Sequence, residues 1–202
     1  MKLTITFLTL LFTNFLFSQN PPVEIAVPYD STEGKYQYQE VVELEGLSTE
    51  QFYKNAKEWL EEKYVETDLL RDEENTIIID EGYFNIVWVM DFGQSFSELE
   101  VSKEIKLTFN LKLEFKDGRY RYTITDMRSG EYGEVTLEGL VTSSYDQVNQ
   151  DIPGLSKRQQ RKVLEGQIKN LEELGRIMDE KFQSEIAEMK KAIKEGTDED
   201  DW

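Results

Sequence analysis

Apolar and polar residues alternate strictly along two neighbouring segments in the middle of the chain, between Ser102 and Met127. In the first segment the apolar residues fall at every second position: Ile105, Leu107, Phe109, Leu111, Leu113 and Phe115. The dipeptide Asp117-Gly118 follows, and it favours a two-residue hairpin turn. Such alternation is typical of strands with one buried face. The pattern therefore predicts an antiparallel hairpin whose apolar side needs cover from helices.

The turn also predicts which residues of the hairpin face each other. Folding about it sets Phe115 opposite Tyr120, Leu113 opposite Tyr122, Leu111 opposite Ile124, Glu114 opposite Arg121, and Lys112 opposite Thr123. Apolar pairs on one face and a charge-matched pair on the other agree with a single register.

Two segments have the spacing of amphipathic helices. The first begins after Ser48, with Gln51 three residues on to complete a capping box. Its predicted buried stripe is Phe52, Ala56, Trp59 and Leu60. The second covers 156–195 and begins with the same motif at Ser156 and Gln159. At 1.5 Å per residue it would span roughly 60 Å, so we expect one end to project, bend or meet a partner.

The other segments carry weaker patterns. Residues 76–90 are expected to form strand with a bend, bulge or hairpin near Asp80-Glu81-Gly82, and a further strand is expected around 131–137. Residues 67–75 and 139–154 lack a clear period and are expected to be loops. Within the last helix, Gly166 and Gly175 are expected weak points.

The first eighteen residues have the layout of a cleavable export signal. Lys2 precedes a mainly apolar run from Leu3 to Phe17, which Ser18 closes. A spanning helix would need about twenty apolar residues. We expect export to the periplasm or beyond with cleavage near Ser18 and no membrane span in the mature chain; an uncleaved anchor is the alternative.

These patterns divide the chain into six parts. We expect a signal peptide at 1–18, an extended lead-in at 19–34, an antiparallel sheet with a packed helix at 35–142, a loop at 143–155, a long helix at 156–195 and an acidic tail at 196–202.

Composition removes several classes of function. The formal net charge of −18 disfavours nucleic acid as a partner. The chain contains no cysteine and no histidine, so we expect no disulfide, no lipoprotein anchor and no zinc site. Runs of carboxylates such as Asp80-Glu81 lack the spacing of a calcium loop. We therefore expect no metal, no cofactor and no enzymatic activity.

Two groups of residues are candidates for binding. Five strand aromatics would hold a glycan or peptide if a concave sheet exposed them, although core packing is the ordinary role of such residues: Tyr36, Tyr38, Trp88, Tyr120 and Tyr122. A basic cluster opens the long helix, where it would meet acidic residues of the domain or a partner: Lys157, Arg158, Arg161 and Lys162. Its alternative is a chance grouping on the surface.

Three stretches resemble a known family in their order and spacing: Tyr38 to Gly46, Ser48 to Trp59, and Lys116 to Asp126. They resemble the exported bacterial domain of unknown function DUF4468, which has a TBP-like fold. The resemblance covers about 35–127, and residues 77–101 and the last helix match less well. It implies an α+β fold with a curved antiparallel sheet packed by helices, export in bacteria of the Bacteroidota type, and no catalytic residues.

The leading hypothesis for function is an exported, non-enzymatic binding or interaction module of the bacterial cell envelope. The partner would be an unknown protein or small ligand. The alternative is a carrier of a glycan or peptide that uses the aromatics on the sheet face.

Overall fold

The structure is a computed structural model, and it describes residues 23–64, 70–91, 100–129, 135–148 and 154–196. The elements in chain order are β1 (Tyr29–Asp30), β2 (Lys35–Tyr36), β3 (Tyr38–Glu43), α1 (Thr49–Lys63), β4 (Leu70–Glu73), β5 (Thr76–Asp91), β6 (Glu100–Lys116), β7 (Arg119–Ser129), β8 (Val135–Thr136), α2 (Leu137–Val148) and α3 (Lys157–Glu195). The predicted signal at 1–18 and residues 197–202 of the predicted tail lie outside the described residues.

The main sheet is antiparallel and has the order β3-β7-β6-β5-β4, with β8 also pairing with β7. β1 and β2 form a separate two-stranded sheet. The predicted hairpin is confirmed in β6 and β7, including the pairs Phe115–Tyr120 and Glu114–Arg121. Asp117-Gly118 forms its turn, with Gly118 at a φ of 74°. Strand pairing thus follows the alternation that the sequence shows.

Helices α1 and α3 cover one face of this sheet. The capping boxes at Ser48 and Ser156 are confirmed, and the predicted stripe of α1 is buried. Phe182 of α3 lies 5.3 Å from Phe109 of the sheet, measured between ring centroids. Phe52 of α1 lies 5.7 Å from Tyr120 in the same way. Both helices therefore share one core with the sheet.

Two bulges lie side by side in neighbouring strands. In β5, Asp80 and Glu81 stand opposite the single residue Asn110 of β6. In β7, an extra residue at Asp126 shifts the pairing with β6. Glu81 and Asp126 both have positive φ, of 60° and 53°. The side chain of Asn110 joins the bulges, since it accepts from the Glu81 N–H at 3.1 Å and donates to Asp126 at 2.9 Å.

The bulge in β5 decides which of its side chains are buried. Ile77 and Ile79 point to the core before it, whereas Ile86 and Trp88 do so after it. An extra residue inverts the alternation of a strand, because the side-chain period is two. The bulge thus keeps the core residues in both halves of this long strand on the side of the helices. Of the bend, bulge or hairpin predicted near Asp80-Glu81-Gly82, the structure has the bulge.

The predicted lead-in belongs to the core, so the boundary at residue 35 is wrong. Val23, Ile25 and Val27 are buried. A Cβ built on Gly175 of α3 would lie 2.9 Å from Cγ2 of Ile25, closer than real side chains approach. The segment therefore lies directly on the helix, and Gly175 is a site of close contact rather than a break in the helix.

Two predicted loops contain regular structure. β4 falls within 67–75 and pairs with β5. α2 occupies residues up to Val148 of the predicted loops at 139–154 and 143–155, so those predictions are wrong there. Leu137, Leu140 and Val141 have helical spacing, and Leu137 is buried. A helix of 12 residues with interior serine and threonine gives only a weak periodic signal.

The long helix α3 runs without interruption through Gly166 and Gly175. Its buried residues begin at Leu171 and continue to Ile193, whereas none of the residues from Lys157 to Asn170 is buried. The amino-terminal third is therefore the less covered end. None of the described helices is long and apolar enough to cross a membrane.

Candidate interaction surfaces

The five aromatics predicted to bind a ligand lie in the core. Tyr36, Tyr38, Trp88, Tyr120 and Tyr122 are between 1% and 8% exposed. Tyr36 belongs to the small sheet of β1 and β2, and the other four belong to the face of the main sheet that α1 and α3 cover. The expectation that they form an exposed platform is wrong, because these side chains are buried in the core.

Two of these tyrosines link α3 to the sheet through hydrogen bonds of their hydroxyl groups. The hydroxyl of Tyr38 donates to Asp179 at 2.7 Å. The hydroxyl of Tyr122 donates to Glu40 at 2.8 Å, and Lys190 of α3 donates to the same Glu40 oxygen at 2.6 Å. Burial, together with the carboxylate it faces, raises the pKa of Tyr38. The two tyrosine hydroxyl groups remain protonated at neutral pH, and they hold α3 in position on the sheet.

A small cavity remains between α1, α3 and the sheet. Its volume is about 10 Å³. The walls include Trp59, Tyr64, Phe109 and Met189. About one water molecule fits a space of this size. A glycan or peptide does not fit there without moving a helix.

The buried carboxylate of Glu185 borders that cavity and is paired. Lys181 donates to it at 2.5 Å, and Nζ of Lys63 on α1 lies 3.0 Å from its other oxygen. Burial alone would raise the pKa of Glu185, but the two lysines outweigh it and hold that pKa below its usual value. The pair joins α1 to α3. Among the described residues, no three acidic side chains are grouped to hold a metal ion.

The predicted basic cluster lies on the first turns of α3. Lys157, Arg158, Arg161 and Lys162 are exposed. Within the described part of the chain, none of the ion pairs involves these four residues. Contact of this cluster with acidic residues of the domain, like contact with a partner, therefore stays a prediction.

The second face of the main sheet carries no described helix; we call it the open face. It consists of the outward residues of β3 to β7, such as Gln39 and Val41 of β3 and Lys112 of β6. Large apolar side chains are exposed on it. Val41 is 51% exposed and Val87 is 60% exposed, and Tyr83 and Val89 are exposed as well.

Charge on the open face is balanced, although the chain as a whole is strongly acidic. Arg121 lies 2.5 Å from Glu114 on the neighbouring strand, and Arg71 lies 2.7 Å from Asp80. The ammonium of Lys106 lies 3.9 Å from the ring centroid of Tyr83. The basic residues placed outward are Arg71, Lys106, Lys112, Lys116, Arg119, Arg121 and Arg128. An acidic or neutral partner would meet little repulsion there.

The sequence contained a signal for this surface. Both sides of β5 are apolar between Tyr83 and Met90, whereas a one-sided sheet should have polar residues at every second position. Val87 and Val89 are the outward residues that break the rule. Such a run predicts a strand whose outer face or edge has a further role.

The comparisons with known proteins agree with this architecture. A family model described as domain of unknown function (DUF4468) with TBP-like fold matches residues 38–129. A solved structure of a TBP-like protein from Parabacteroides distasonis is similar with a TM-score of 0.52 and 12% identity, covering 85% of this chain and 99% of that one.

A solved structure of a DUF4468 family protein from Bacteroides ovatus has 18% identity and a TM-score of 0.43, over 81% of this chain and 90% of its own. No curated protein matches the sequence. The likeness to the Parabacteroides protein shows the fold alone, and the matched residues contain α1 and strands β3 to β7. Residues 38–129 of this chain thus belong to the DUF4468 family of TBP-like domains of unknown function.

Proposed function

We propose that this chain is an exported, non-enzymatic binding module of the bacterial cell envelope that holds a protein partner on the open face of its sheet. One observation carries the proposal. The helices cover one side of the sheet, and the other side presents exposed apolar residues, Val41 and Val87 among them, within a field of balanced charge. Apolar groups inside a polar rim are typical of protein interfaces.

Export is supported by the first eighteen residues, whose layout is that of a cleavable signal. A non-enzymatic role is supported by composition, since a chain without histidine and cysteine lacks the usual base and the most reactive nucleophile. The exposed carboxylate of Glu40 and the buried carboxylate of Glu185 are both held by lysines that join α3 to its neighbours. Nucleic acid is disfavoured as the partner by the net charge of −18.

Photocrosslinking in the bacterium that produces the protein tests the proposal. A photoreactive phenylalanine analogue replaces Val41 or Lys112 on the open face, and in a control it replaces Glu61, an exposed residue of α1. We expect a discrete crosslinked product from the two open-face positions in the envelope fraction, and none from position 61.

Equal crosslinking at all three positions, or none at Val41 and Lys112 in protein recovered from the envelope, would contradict the proposed surface. Recovery of the protein only from the cytoplasm, with residues 1–18 still attached by mass, would contradict export.

A further inference from the structure

Among the described residues, the edge of the main sheet along residues 82–90 of β5 carries neither the charges nor the proline that protect many edges. β4 pairs with β5 only from Thr76 to Ile79. From Gly82 to Asp91, β5 pairs with β6 on one side, and no described strand lies on the other. The segment 82–90 contains no charged residue and no proline. Sheet edges usually carry lysine, proline or a bulge against pairing with another chain.

The other edge strands show the contrast. β3 has six residues, and two of them are Glu40 and Glu43. β4 has four residues, three of which are charged. Both are short or charged, which opposes pairing with a further strand. The segment 82–90 is the longest uncharged stretch of edge strand among the described residues.

Charge also points to what would pair with this segment. The uncharged stretch is bounded by Glu81 and Asp91, and its centre is Ile86. A second copy that pairs antiparallel about Ile86 would place Tyr83 opposite Val89 and Asn85 opposite Val87. No charged residue would lie within the paired region. Two chains of net charge −18 repel each other over most of their surfaces, so an uncharged stretch of edge strand favours their close approach.

We propose that two copies of this chain associate through residues 82–90 of β5, in antiparallel pairing with a two-fold axis at Ile86. The same strand serves both partners, as an isologous interface requires. Main-chain hydrogen bonds would join the two sheets into one, and the valines at positions 87 and 89 would each gain a cross-strand neighbour from the second copy. This inference does not rest on the proposed function, because edge pairing leaves the open face of β3, β6 and β7 free.

Sedimentation of the purified exported protein over a range of concentrations tests the association. We expect a dimer whose Kd rises at least ~10-fold in the N85E/V87E variant, since glutamates would then stand directly opposite each other. The matched control is Q39E/V41E, which places the same charges at the same spacing on the outward face of β3. We expect the control to keep the Kd of the unaltered protein.

Disulfide formation tests the register, because the natural chain contains no cysteine. Opposed residues of antiparallel strands have Cα atoms about 4.5–5.5 Å apart, within the reach of a disulfide. An oxidised mixture of the N85C and V87C variants should give a crosslinked dimer, and neither variant alone should do so.

Three results would overturn the inference. The first is a monomer at ~100 µM, which is far above the concentration at which a specific dimer with micromolar Kd assembles. The others are an equal loss of dimer in Q39E/V41E, and crosslinking by either single-cysteine variant that is as strong as in the mixture. A monomer that still crosslinks a different protein from Val41 in cells would reject the association and leave the proposed function standing.

Discussion

The close contact between Ile25 and Gly175 gives a sharp prediction about the lead-in. A Cβ at Gly175 would lie 2.9 Å from Cγ2 of Ile25 and 3.5 Å from its backbone Cα. At Gly166 of the same helix, a Cβ would meet nothing within 4 Å. The two glycines therefore differ in their surroundings while they share one helix.

The expected magnitudes follow from two opposing effects. Replacing glycine by alanine inside a helix stabilises it by about 1 kcal/mol. Overpacking a well-filled site costs about 1–3 kcal/mol. Gly166→Ala should therefore raise the free energy of unfolding by about 0.5–1 kcal/mol, whereas Gly175→Ala should lower it by about 0–2 kcal/mol.

Urea denaturation followed by circular dichroism measures both changes. Ile25→Ala in the background of Gly175→Ala should relieve the overlap, so the double-mutant cycle should show a favourable coupling of about 1 kcal/mol or more. If Gly175→Ala stabilised the protein as much as Gly166→Ala, or if the coupling were zero, the segment from Val23 to Pro28 would not pack against α3 as the structure shows.

Three further predictions concern single side chains. Asn110→Ala should lower the free energy of unfolding by about 1–2 kcal/mol in urea, because both bulges lose a hydrogen bond; no loss would show that Asn110 does not join them. Ser48→Ala should lower the free energy of unfolding by about 1 kcal/mol in the same assay, because it removes the oxygen that caps α1. Ser48→Asp should lower it much less, because a carboxylate oxygen can take the same place. Lysines hold the pKa values of Glu40 and Glu185 below normal, so the stability that these ion pairs contribute is present at neutral pH and is lost as the pH falls through the lowered pKa values. Thermal denaturation should show a smaller loss of stability in acid for Glu40→Gln than for the unaltered protein, and an equal loss in both would refute the pairing.

Much of the sheet could be predicted because its signals are local. Asp117-Gly118 determines the turn of the β6–β7 hairpin, and alternation then leaves one register that buries the apolar residues. Capping boxes at Ser48 and Ser156 mark helix starts for the same reason, since donor and acceptor lie within four residues of each other.

The missed features depend on contacts between distant residues. Nothing near Ile25 indicates that it packs against Gly175, which lies 150 positions later. Periodicity showed that Tyr120 and Tyr122 share a face with other apolar residues, but it did not show which face the helices cover. The predicted ligand platform therefore falls on the covered side, whereas the exposed residues Val41 and Val87 lie on the other.

The central claim is that the described helices cover one face of the sheet and leave the other open, and cysteine labelling along β5 tests it most directly. The natural chain contains no cysteine, so single substitutions at Tyr83, Asn85, Ile86 and Val87 report one position each. The account predicts fast reaction with a thiol reagent at 83, 85 and 87 and slow reaction at 86 in the folded protein. Reaction at similar rates at all four positions, or protection at 83, 85 and 87 with exposure at 86, would contradict it.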